Sequence, residues 1–223
     1  MRFAYIGTFA AAFAIVFLIP IKVISAEPPI PGYGVGILQW KVEVAPGQTE
    51  VLNGTVQQVY EQILQMNPDF QLSDAHLRSR GLRPQKRTST VRCGIYDPGF
   101  TWAIQDGIDY LRRVPGRPSE DPGPGNCGQV SCSYNSAIWW CNESPVTKTL
   151  NSWDMIANAA QSMLQNCDYV GGLISGQNLD SDNWSTNIGH ARCRESVFLG
   201  VGHGYLKLVT EREASFLNVI STE

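Results

Sequence analysis

The feature that most restricts how this chain can fold is its set of six cysteines: Cys93, Cys127, Cys132, Cys141, Cys167 and Cys193. None lies before position 93 or after 193, so one internal span carries them all. An even number of cysteines in a chain that opens with an export signal implies a disulfide framework. Structural zinc would need paired Cys-x2-Cys or Cys/His spacings. The intervals here hold 33, 4, 8, 25 and 25 residues, which do not fit, and no metal or cofactor is implied. Six cysteines allow 15 pairings, and spacing alone does not choose among them.

The export signal is the start of the chain. Arg2 precedes an apolar run from Phe3 to Ile19, and small residues follow at Ser25 and Ala26. A positive start, an apolar stretch and small residues at the cut read as a secretory signal peptide over residues 1–26. The chain is expected to be secreted, with no membrane attachment after cleavage. A second cut is expected further on. Residues 78–87, RSRGLRPQKR, hold Arg78, Arg80, Arg83, Lys86 and Arg87 and no acid. Lys86-Arg87 is a dibasic pair in a Pro/Gly-containing stretch, the type of site that secretory-pathway proteases accept. Residues 27–87 then read as a pro-region and 88–193 as the cysteine-rich domain. Eight basic and six acidic residues lie up to Arg87, against nine basic and fourteen acidic from Thr88 onward. An acidic mature part has no general affinity for nucleic acid, which requires clustered positive charge.

Periodicity supplies the elements. Trp40, Val42 and Val44 alternate with polar residues, a half-buried strand stopped by Pro46-Gly47. Val56, Val59, Tyr60, Ile63 and Met66 are spaced as one helix face, and Asn67-Pro68 ends it. One strand and one helix without a cysteine are too little for a core of their own. Ile104, Ile108 and Leu111 predict an amphipathic helix over 101–114, stopped by Pro115-Gly116. CGQVSCSYNSAIWWC, residues 127–141, reads as a β-hairpin turning near Asn135, with Cys132 and Cys141 as candidate bridge partners on its two arms. Ser152 can cap a helix whose stripe is Trp153, Ile156, Ala160, Met163 and Cys167. Strands are expected near 92–96, over 170–176 and, more weakly, over 184–193. The expected fold is α+β: a small antiparallel sheet with two helices on one face, stapled by disulfides. The tail over 194–223 has no turn signature; it fits a helix or a misread exon boundary.

Catalytic residues are scarce. Only His190 and His203 follow the basic stretch, no G-x-S-x-G occurs, and bridged cysteines are not nucleophiles. Asp106 and Asp109 share a helix side, but a glycosidase pair must flank a cleft. The tryptophans are more suggestive. Trp102, Trp139, Trp140, Trp153 and Trp184 all lie in the cysteine-rich part, and one reading is that all five fill its core. Trp139 and Trp140, adjacent in one strand, face opposite sides; one can fill the core, while the other packs beneath a loop or faces outward as an anchor for a partner or a sugar. Trp139, Trp140 and Trp184 are therefore the candidate binding surface. Sequons at Asn53, Asn142 and Asn183 mark glycosylation candidates.

Three runs carry a resemblance: IQDGIDYLRRVPGR from Ile104, GPGNCGQVSCSYNSAIWWCNE from Gly123 and TLNSW from Thr149. Over about residues 90–193 the chain resembles a family of small six-cysteine fungal secreted proteins of unassigned activity. More distantly it is similar to α/β-sandwich killer toxins and to necrosis-inducing effectors of plant-pathogenic fungi. What the resemblance implies is a monomeric, non-enzymatic effector or virulence protein that binds a host or competitor surface protein or glycan. The alternatives are an antimicrobial killer-type toxin and a carbohydrate-active enzyme.

Overall fold

The computed structural model describes residues 28, 30–71, 88–167 and 170–193, and the backbone of 198–202 and 205–209. The signal segment 1–26 and the pair Lys86-Arg87 lie outside the described residues.

Two short-range patterns fix the first elements. After β1 (Gly34–Val35), strand β2 (Gln39–Ala45) buries Trp40, Val42 and Val44 and turns the intervening residues outward. Gly47, at φ 77°, makes the turn into β3 (Gln48–Asn53), which pairs antiparallel with β2. Helix α1 (Val56–Met66) then starts at a capping box. The Thr55 hydroxyl accepts from the Gln58 N–H, and the Gln58 side chain accepts from the Thr55 N–H. Its apolar stripe buries Val56, Val59 and Ile63.

The cysteine-rich part follows as β4 (Ser89–Cys93), β5 (Gly99–Phe100), α2 (Thr101–Arg113), β6 (Ser119–Glu120), β7 (Asn126–Ser133), β8 (Ser136–Asn142) and β9 (Lys148–Thr149). Helix α3 (Asp154–Asn166) leads to β10 (Leu173–Ile174), β11 (Gly176–Asp180) and β12 (Trp184–His190). The main sheet runs β1-β7-β8-β12-β11-β4 and a second runs β3-β2-β6-β9, while β5 pairs with β10. The main sheet is mixed, not purely antiparallel, because β1 runs parallel to β7. Helices α2 and α3 pack against each other; α2 lies on β8, and α3 on β11 and β12. Helix α1 is a third, lying on α2 and β7.

One apolar core joins all of this. Trp40, Val42, Val44, Val56, Val59 and Ile63 belong to the same cluster as Ile104, Ile108, Leu111, Trp140, Trp153 and Ile188. The rings of Trp40 and Trp153 stack with centroids 3.5 Å apart and planes 13° from parallel. Burying each such side chain is worth about 1.5–3 kcal/mol. The region before the basic stretch, expected to lack a core, shares that of the cysteine-rich part.

Three bridges close the framework: Cys93–Cys167, Cys127–Cys141 and Cys132–Cys193. The candidate Cys132–Cys141 link does not form. In the β7–β8 ladder Cys127 stands opposite Cys141, while Cys132 stands opposite Ala137. A bulge between Gln129 and Ser131 sets that register. Ser152 does not cap α3: Trp153 holds the cap position, and no side chain caps that end. The C-terminal tail is not wholly helical, since β13 (Phe198–Gly202) pairs antiparallel with β14 (Tyr205–Val209).

Candidate functional site

The predicted binding tryptophans are all buried. Trp140 and Trp184 lie in the main core. Trp139 does face the other side of the sheet, as strand alternation requires. That side is covered as well: Trp139 packs with Cys127, Cys132, Cys141 and Ala191, and Tyr33 and Cys193 pack over them. The bridges and the N-terminal segment roof the second face, so none of the three can act as an exposed anchor.

The exposed aromatic surface lies elsewhere, at Phe100, Trp102 and Tyr134, which are 43%, 47% and 41% exposed. Phe100 stacks on Trp102 with centroids 5.9 Å apart, and Trp102 meets the Tyr134 ring edge-on at 4.6 Å. The fold anchors each member. The Phe100 N–H donates to Ser136 Oγ at 2.8 Å, and Ser136 Oγ donates to the Tyr134 carbonyl at 3.2 Å. The Thr101 N–H and hydroxyl both donate to the Gly172 carbonyl. Gly99 lets this stretch lie close on β12, since a Cβ there would stand 2.8 Å from the Gly189 oxygen. Tyr134 and Asn135 form the two-residue hairpin turn, both at positive φ (48° and 53°). The Ala191 N–H donates to the Asn135 carbonyl, and the Cys132–Cys193 bridge ties the same end of the hairpin to the chain beyond β12.

A polar network lies along the sheet. Glu143 accepts from the Tyr33 hydroxyl at 3.1 Å and from the Ser185 hydroxyl at 2.9 Å. Asn187 donates to Ser185 Oγ and accepts from the Tyr96 hydroxyl at 2.9 Å. Burial, with the Tyr33 and Glu143 charges behind it, pushes the Tyr96 phenol up to about 12. Both carboxylate oxygens of Glu143 are engaged, as in a clamp between β8, β12 and the N-terminal segment.

Glu120 is the opposite case. It is buried, Asn126 Nδ2 donates to one oxygen at 3.2 Å, and the other oxygen has no hydrogen-bond partner among the described residues. Burial raises its carboxyl to about 7; the neighbouring Asp121 backbone N–H pulls it down and the Asp121 charge pushes it up. Sequence patterning gave no sign of this group, because its burial depends on the close approach of β6 and β7 at Gly128. A Cβ on Gly128 would stand 2.6 Å from Glu120 Oε2.

Asp106 and Asp109 both lie on the exposed side of α2. Asp109 accepts from Gln105 at 3.0 Å and faces Arg112 at 3.9 Å, while partial burial and then the Asp109 charge raise the Asp106 carboxyl. His190 is exposed, and its backbone N–H donates to the Asp97 carbonyl; His203 lies outside the described residues. Among the described residues, no three His, Cys, Asp or Glu side chains gather as a metal site, and no helix is long and apolar enough to cross a membrane.

Of the sequons, Asn53 and Asn183 are exposed. Asn142 is fully buried and its amide is in use: Nδ2 donates to the Asp121 and Val146 carbonyls at 2.9 and 2.8 Å, and Oδ1 accepts from the Ser144 N–H. A glycan on that nitrogen would displace these bonds and has no room, which removes Asn142 as an acceptor in the folded protein.

Searches against family models, curated proteins and solved structures returned no match for this chain.

Proposed function

We propose that this is a secreted, non-enzymatic binding protein of effector type, which acts outside the producing cell through the face formed by Phe100, Trp102 and Tyr134. The observation that carries the reading is the aromatic triad itself. Three large rings stay about 40–50% exposed while packed on one another. Rigid, part-exposed aromatics supply contact area at little entropic cost and dominate binding surfaces. The export signal and three bridges support an extracellular place of work. The partner is a surface protein or glycan of a host, and the protein acts as a monomer.

The test compares the native protein with Trp102→Ala and Tyr134→Ala, with retained folding checked by near-ultraviolet circular dichroism. Infiltrated into host tissue, the native protein should provoke a response that both variants lose. An unchanged response with both rings removed would reject the assigned face. Inhibition of microbial growth at low concentration, with host tissue unaffected, would instead select the killer-type reading.

A further inference from the structure

The first 87 residues contain no cysteine, so no bridge can hold residues 28–71 to the rest of the molecule. We propose that residues 28–71 are nonetheless a permanent, non-covalently held part of the exported protein, and that a cut after Lys86-Arg87 yields a two-chain molecule and not a released pro-segment.

The seam between the two parts has the make-up of a protein interior. Trp40 stacks on Trp153, and its indole N–H donates to the Gly54 carbonyl at 2.7 Å, so the ring is buried without an orphaned donor. Val42, Val44, Val56, Val59 and Ile63 are each at most 1% exposed, within one cluster with Ile104, Leu111 and Trp153. Polar groups cross the seam too. The Gln57 side chain donates to Ser131 Oγ at 2.7 Å and accepts from the Cys132 N–H at 3.3 Å. The Gly34 and Gly36 N–H groups donate to the Gly125 and Cys127 carbonyls, so β1 pairs with the start of β7, at Asn126 and Cys127. The Lys41 carbonyl lies so close to the loop after α2 that a Cβ on Gly116 would stand 2.9 Å from it.

Removing residues 28–71 would therefore bare the Trp153 face of the core, unroof the Trp139 side by taking away Tyr33, and leave the start of β7, Asn126 and Cys127, unpaired on its outer side. Contiguous apolar surface and open strand edges both drive association. The cysteine-rich part keeps its partner because that partner completes its core. The inference goes beyond the proposed function, since no member of the aromatic triad belongs to residues 28–71.

The test uses the secreted full chain carrying a recognition site for a sequence-specific protease between residues 72 and 87, so that cutting itself is not in question. After complete cleavage, the two pieces should co-elute on native size exclusion without reductant. They should separate in denaturant, again without reductant. Elution of the N-terminal piece alone, with the bridged piece monomeric and unchanged in near-ultraviolet circular dichroism, would overturn the proposal. Trp40→Ala in the same chain should make the pieces part at lower denaturant. Parting at an unchanged denaturant concentration would also count against it.

Discussion

Residues 28–71 and residues 88–193 share one core but are held in it by different means. The later region is fastened by three bridges, one spanning 74 residues, 93 to 167. The earlier region is fastened without a covalent link, by the Trp40–Trp153 stack, the stripe of α1, the Gln57 hydrogen bonds and the short β1–β7 ladder. A bridge acts largely by restricting the unfolded chain, whereas packing acts only while the surfaces fit. Reductant should therefore loosen one region first, and a cavity or a change of charge at the seam should loosen the other.

The largest effects are expected at the seam and at the longest bridge. Trp40→Ala removes a fully buried ring and its stack, a change that costs about 3–5 kcal/mol. Urea denaturation should show the midpoint falling, with the three bridges intact on peptide mapping. The bridges should rank by span. In the chain-entropy account, losing Cys93–Cys167 costs about 4.5 kcal/mol and losing Cys127–Cys141, 14 residues apart, about 3 kcal/mol. Paired Cys→Ala variants compared by thermal unfolding test the order; equal losses would mean that native packing and not loop closure sets their worth.

Glu120 sharpens the comparison by pH. It lies where β6 meets β7 and is near Gly36 of the N-terminal segment. The charged groups around it are Asp121 beside it and Lys148 opposite it in the β6–β9 pair, with Lys148 bound to Asp182 at 3.2 Å. Its carboxyl is raised from 4.5 to about 7 in the fold, so the folded state holds the proton more tightly than the unfolded chain. The stability this represents is complete below pH 4.5 and is lost as pH rises through about 7. The loss is on the order of 3 kcal/mol. Glu120→Gln should remove that slope and be the more stable form at pH 8. A slope unchanged by the substitution would assign it to other groups.

The smallest effects on stability are expected on the exposed surface. Trp102→Ala should shift the unfolding free energy by no more than about 1 kcal/mol while weakening partner binding roughly 30-fold or more. Asp106→Asn should leave both stability and biological response close to native. Loss of the response with the fold intact would revive the carbohydrate-active reading.

Local chemistry was legible in the sequence. The spacing of Val56, Val59 and Ile63, and of Ile104, Ile108 and Leu111, gave two helices within a residue or so of their ends. Asn135 marked the hairpin turn. Long-range register was less legible. The bulge between Gln129 and Ser131 decides which cysteine faces Cys141, and no residue type announces it. β3 carries no strand signal because Gln48, Thr49 and Glu50 are polar and Val51 points outward, leaving Leu52 as its one buried residue. The alternation of Trp139 and Trp140 was sound, but alternation cannot show that both faces of the sheet are covered. Nothing in the pattern separates Trp102 from the buried tryptophans, because it lies in the first turn of a helix whose buried stripe starts beside it, at Ala103 and Ile104.

The most direct test of a scaffold fixed by sulfur links and completed by its own N-terminal segment is peptide mapping, by mass spectrometry, of the unreduced protein recovered from an expressing host. The expected result is the pairs Cys93–Cys167, Cys127–Cys141 and Cys132–Cys193, no alkylatable thiol, and peptides from residues 28–71 co-purifying with the bridged part. A free thiol, a Cys132–Cys141 link, or a homogeneous product beginning at Thr88 would contradict it.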